Sequence, residues 1–122
     1  MPDHLPPFDI QAALERTNGK PKLLRKMLLR FGSLFENSGT ELRKQIAKGD
    51  VADAERLAHS LRGTAATLEA VGLSRAAYEV ELAFRTKDMG AIGVLIDALE
   101  IELAPAIAAA RSLEKTMTGT AT

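Results

Sequence analysis

The chain has no cysteine and no tryptophan. Without cysteine there is no disulfide framework and no thiol chemistry, a composition that fits a reducing cytoplasm. Aromatic residues make up only 4% of the sequence. Strands favour aromatic and β-branched residues, whereas alanine and leucine, abundant here, favour helices. No charge of one sign dominates, since 16 basic residues face 16 acidic ones. A basic excess that would recruit nucleic acid or an anionic membrane is therefore missing. The longest apolar run, Leu103 to Ala110, is far shorter than the ~20 residues that span a bilayer, and Pro105 interrupts it. Met1 to Pro7 lacks the basic and apolar regions of a signal peptide.

What is present is helical periodicity over 122 residues, a length that suits one domain. Residues 1–7 carry three prolines and read as an extended N-terminal tail. Asp9 is placed to cap a short helix from Ile10 to about Arg16. Asn18-Gly19 ends it, and Pro21 suits the first turn of the next helix. From Pro21 the apolar beat Leu24, Met27, Leu28, Phe31, Leu34, Phe35, Leu42 and Ile46 predicts one long helix to Lys48. Asn37-Ser38-Gly39 is its weak point, able to bend or split it. Gly49 can close that helix and Asp50 cap a third, which runs to about Ala70 and ends at Gly72. A fourth covers Leu73 to about Lys87. Asp88 is expected to cap the last, from about Met89 to Glu114, which Pro105 should kink or divide. The pattern predicts an all-α fold, an antiparallel up-and-down four-helix bundle over residues 8–115 with a short extra N-terminal helix. Residues 116–122 lack periodicity and are expected to form a C-terminal tail.

The chemistry concentrates between Leu57 and Leu73. Val51, Ala54, Ala58, Leu61, Ala65 and Leu68 alternate steps of three and four, so they line one stripe of a helix. His59 sits one residue off that stripe, on the shoulder between core and water. Gly63 lies one turn further along and Arg62 beside it. A glycine inside a helix costs roughly 1 kcal/mol against alanine, which something must offset. Close approach of another protein to His59 would do so, because Gly63 removes the side chain that would stand in the way. Arg62 would bring a cation beside an anion arriving at the imidazole. A free imidazole titrates near ~6.5, so a neutral, nucleophilic fraction exists at pH 7. Ala66 adds a small residue to the same face. Glu55, one turn before His59, is placed to hold the ring by a hydrogen bond. Taken singly, each residue has a plainer use: a half-buried histidine, a solvated arginine, a glycine for tight helix packing, a surface carboxylate. Together they describe a site that carries a phosphoryl group on His59.

Ala58-His59-x-Leu61-Arg62-Gly63-x-Ala65, followed by Leu68 and Leu73, resembles the signature of histidine-containing phosphotransfer (HPt) domains of multistep phosphorelays. Asp9 to Leu14, the Leu23–Phe35 run, Gly49-Asp50 and Val80-Glu81 also fall where that family has similar residues, so the resemblance covers about residues 8 to 115. Arg62 stands where the family more often has Lys, and Glu69 where it usually has a small residue. The resemblance implies a shuttle. A phospho-aspartyl receiver domain, or a sensor or hybrid histidine kinase, would hand its phosphoryl group to Nε2 of His59. A second response-regulator receiver would then accept it. Mg²⁺ would belong to the receiver, and the chain itself would need no cofactor and no metal. It would act as a cytoplasmic, monomeric phosphoryl carrier rather than an enzyme with its own ATP site. Consistent with that, no GxxxxGK[ST] run and no alternating β–α pattern occur.

Two other classes fail on the residues. A di-metal bundle needs several inward Glu-x-x-His pairs, and only Glu55-x-x-x-His59 comes near. A helix-turn-helix DNA reader is at odds with the neutral charge. The remaining alternative is a non-phosphorylated helical adaptor that binds receiver or kinase domains.

Overall fold

Asp9 starts the first helix, α1 (Ile10–Arg16), as its Oδ1 accepts the Ala12 N–H at 3.1 Å. The structure, a computed structural model, describes residues 1–121, and side chains for residues 1–114. The last helix, expected to end at about Glu114 and give way to a tail over 116–122, instead stays helical in its backbone to Ala121, and Thr122 lies outside the described residues. Pro21 opens α2 (Pro21–Phe35), where its missing N–H is no loss. Leu24, Leu28, Phe31 and Phe35 turn inward, and the Phe31 ring meets Phe8 edge-on at 5.5 Å.

The long helix expected from Pro21 to Lys48 is split, and α3 (Ser38–Ala47) begins after Asn37 leaves the helical conformation at φ −110°, ψ 20°. The break has a packing reason. Ser38 and Gly39 are buried, and a β-carbon on Gly39 would run into the Glu100 side chain. Gly49, at φ +79°, closes α3 in the left-handed conformation, as its residue type predicts.

The next helix, α4 (Val51–Thr67), starts after Asp50, but the Asp50 carboxylate makes no capping hydrogen bond. Its backbone N–H instead closes back on the Gln45 carbonyl at 2.8 Å. The expected stop at Gly72 is wrong by several residues. Glu69 takes the left-handed turn, at φ +60°, and Gly72 lies inside α5 (Val71–Arg85). Tertiary contacts override local preference here. The Glu69 carbonyl accepts the Asp9 N–H at 3.1 Å, and its carboxylate pairs with Arg16. These bonds tie α1 across the α4–α5 turn. At Gly72, a β-carbon would come within 3.0 Å of Glu102.

The last helix, α6 (Ile92–Ala121), begins later than expected, so Asp88 belongs to the preceding turn and does not cap it. Pro105 does not divide α6. Proline deprives the carbonyl four residues back of its partner. That residue is Ile101, and it and Pro105 are both exposed, so water can satisfy the carbonyl.

The contacts close a ring. α4 packs on α3 and α5, α5 on α6, and α6 on α2 and α3. Ala54, Ala58, Leu61, Ala65 and Leu68 of the histidine helix point to the centre, essentially without exposure, against Leu73, Ala77 and Val80 of α5. Across the ring Gly32 of α2 meets α6, where a β-carbon would stand 3.1 Å from that of Ala110. The alanine-rich stripe holds α4 close to the core and leaves its other side, with His59, to solvent.

Candidate functional site

His59 lies midway along α4, one position past the buried Ala58, so the helix fixes its Cα on the shoulder of the core. Its side chain remains 61% exposed. The ring is nevertheless anchored. His59 Nδ1 is 2.7 Å from Oε2 of Glu81, which projects from the facing surface of α5. Glu81 is buried to 2% side-chain exposure, yet it is fully engaged. Arg62 Nε donates to Oε1 at 2.7 Å, and Arg85 Nη2 donates to Oε2 at 2.7 Å. One buried anion therefore holds an imidazole and two guanidinium groups.

The electrostatics of Glu81 follow from this crowd. Burial pushes its carboxyl toward the neutral form. The hydrogen bond from His59 and the charge of Arg62 more than offset burial, so its pKa lies below the usual carboxylate value. An ionised acceptor at Oε2 in turn selects the tautomer of the ring. Nδ1 carries the proton and donates it to Glu81, because a lone pair aimed at a carboxylate at 2.7 Å would be repelled. Arg62 Nη2 stands 3.1 Å from the same Nδ1. With Nδ1 protonated, that approach is a contact between two donors rather than a hydrogen bond. In the neutral ring the lone pair then falls on Nε2, which has no hydrogen-bond partner among the described residues.

Arg62 is held by Glu81 and by an aromatic face, and it abuts the imidazole. Besides Glu81 and the ring, its guanidinium carbon lies 5.7 Å from the centroid of the Tyr78 ring, a cation–π geometry. The α4 backbone is clasped at the same level, since Ser74 Oγ donates to the Arg62 carbonyl at 3.1 Å.

Gly63 faces outward. A β-carbon there would meet nothing within 4 Å, so the residue does not serve helix packing inside this chain. Ala66 is exposed one turn on, and with Gly63 it leaves a low surface beside the ring. The structure brings His59, Arg62, Gly63 and Ala66 together on one face. It corrects the part expected of Glu55, which is half-buried on α4, because the carboxylate that holds the ring belongs to Glu81.

Sequence reasoning gave Glu81, Arg85 and Tyr78 no part in the site. For Glu81 a signal existed. Leu73, Ala77, Val80 and Phe84 set the inward beat of α5, and residue 81 falls four past Ala77 on that same stripe. A carboxylate in a buried stripe demands partners, and cations or a histidine on the facing helix are what it needs.

Chemically, the arrangement presents one oriented ring nitrogen to solvent with a net positive charge beneath it. Among the described residues no group of three or more His, Asp or Glu side chains is placed to hold a metal ion. No described helix is long and apolar enough to cross a membrane. In comparison with known families, residues 26–112 match the family model described as "Hpt domain". No curated protein and no solved structure matches the chain.

Proposed function

The chain belongs to the Hpt domain family, whose members carry phosphoryl groups on histidine in phosphorelays, and on that basis we propose that His59 is the carrier residue here. The observation that carries the reading is the anchored, outward ring: Nδ1 tied at 2.7 Å to buried Glu81 and the side chain 61% exposed. A fixed tautomer removes a search that the nucleophile would otherwise make, and positions Nε2 for in-line attack.

The step balances without an outside base. The Nε2 lone pair forms the N–P bond as the acyl phosphate P–O bond of a receiver aspartate breaks. The bonding pair of that P–O bond leaves with the aspartate as carboxylate. No proton is released, because Nδ1 keeps its own. The positive charge that develops on the ring falls next to the Glu81 carboxylate, which stabilises it. Return transfer to a second receiver runs the same step backwards. Mg²⁺ and most of the charge stabilisation at phosphorus are contributed by the receiver.

Arg62 acts, in this reading, from the Nδ1 side of the ring. Its Nε is committed to Glu81, so its part is to position Glu81 and the imidazole and to make the local potential favourable for an arriving dianion. Gly63 and Ala66 admit the partner surface. The finer architecture we read as an antiparallel up-and-down four-helix bundle, with α2 and α3 as one broken member and α1 as the extra helix. Pairs such as Arg43–Asp97 with Arg25–Leu113, and Arg62–Ser74 with His59–Glu81, support opposite chain directions in neighbouring helices.

The direct test is incubation of the purified chain with a phosphorylated receiver domain, followed by a search for acid-labile, base-stable label. Wild type should take it up and His59→Gln should take up none. Label persisting in His59→Gln would place the carrier elsewhere. Wild type that binds receivers yet never labels would make the chain an adaptor.

A further inference from the structure

A second feature opens directly beside Arg62. Between the C-terminal half of α4, the first turns of α5 and the end of α1 lies a cleft of about 390 Å³. Arg16, Arg62 and Arg75 line it together with Glu69, Ala66, Val71, Ser74 and Tyr78. Three guanidinium groups from three different helices thus border the cleft against a single carboxylate at its edge.

The pairing of these charges is uneven. Arg16 is paired with Glu69, and Arg62 with the buried Glu81. Arg75 is exposed on α5 and has no carboxylate partner among the described residues. The Tyr78 ring stands under Arg62 at 5.7 Å and is 39% exposed. Val71, at 64% exposure, forms an apolar lip at the mouth. The cleft is therefore net positive, partly apolar and open. It shares Arg62 and Ala66 with the surface that surrounds His59, so anything docked over the ring also lies against it.

We propose that this arginine cleft is the specificity element of the docking surface, taking acidic side chains from the rim of the receiver that docks over His59. The inference rests on the reading of His59 as carrier and adds which receivers the chain prefers. The overall charge is balanced, with 16 basic and 16 acidic residues, so bulk charge does not select a partner. A local positive cleft does. Carboxylates facing it gain Coulombic attraction and bidentate hydrogen bonds from guanidinium forks. At a rim of this exposure such contacts act mainly on the rate of encounter and on its salt dependence. Receivers whose rim is basic meet like charge there and are rejected, which is the repulsive half of specificity.

Arg75→Glu tests it with little risk to the fold, since Arg75 is exposed and carries no ion pair among the described residues. Transfer to His59 is measured from a panel of phosphorylated receivers that differ in rim charge, each rate being divided by the rate of labelling from phosphoramidate. Phosphoramidate is too small to need a docking surface. Arg75→Glu should lower the normalised rate from acid-rimmed receivers by about tenfold at low salt, flatten its salt dependence, and raise the rate from basic-rimmed ones. Lys48→Glu, exposed at the C-terminal cap of α3, should change none of these rates. Equal rates for Arg75→Glu and wild type across the panel would overturn the proposal, as would equal slowing with every receiver. Failure of the carrier reading itself looks different: wild type then takes no label on His59 from any receiver or from phosphoramidate.

Discussion

Gly32 in α2 and Gly63 in α4 each place a glycine inside a helix, where it is about 1 kcal/mol less stable than alanine. At Gly32 the missing side chain is used within the chain. A β-carbon would stand 3.1 Å from that of Ala110, so α2 and α6 approach as closely as they do because nothing is there. At Gly63 the equivalent space is empty to 4 Å. The first vacancy is filled by the fold and the second stands open to solvent. A residue type that weakens a helix is thus explained by packing in one region, while in the other no contact among the described residues explains it, and the proposed docking of a partner would.

The same replacement at both positions separates the two regions. Gly32→Leu should have the largest effect. Overpacking against Ala110 is expected to lower stability by about 3 kcal/mol, over a hundredfold in the folding equilibrium, in a denaturant titration. An unchanged midpoint would mean that α2 and α6 are not tightly packed. Gly63→Leu should leave the titration at or slightly above wild type, since helix propensity improves. It should slow transfer from a phospho-receiver by about a hundredfold, because a displacement of about 1 Å at the reacting centre is enough for that. Native circular dichroism with unchanged transfer would show that no partner needs the space at Gly63.

Glu81→Gln gives the smallest effect and addresses what lies beneath the Gly63 face. Labelling of His59 by phosphoramidate should fall by about tenfold, the scale at which an orienting partner acts on its ring. The pH dependence carries a sign. The folded pKa of Glu81 lies below its ordinary value of 4.5, so the unfolded chain binds the extra proton. The stability this group contributes is complete above pH 4.5 and is lost as pH falls through the lower folded value. Wild type should therefore lose more stability than Glu81→Gln on acidification below pH 4.5. Parallel losses would show that the carboxylate is not held as described.

The stripe Ala54, Ala58, Leu61, Ala65, Leu68 was legible because buried spacing in a helix is a local property, and all five are buried. The cap at Asp9 and the left-handed Gly49 were legible for the same reason, each being set by its own residue type. The α4–α5 turn was not. Glycine chemistry pointed to Gly72, but Glu69 takes the strained conformation under bonds from Asp9 and Arg16, far away in sequence. The ring's true partner was missed in the same way. Glu55 is near His59 along the chain, whereas Glu81 lies 22 positions on and becomes adjacent only when α5 folds back. Local rules name the residues with chemical potential; the packing of helices decides which of them meet.

If His59 carries the group as proposed, the open flank of the imidazole would also govern how long that group persists. With 61% of the side chain in solvent and Glu81 reaching only its inner nitrogen, bulk water has free access to whatever is attached outside. Storage time is then set by the intrinsic lability of the phosphorus–nitrogen bond and by the supply of acceptors. In the proposed relay the domain would keep no clock of its own, and a signal held on it would decay unless a regulator collected it.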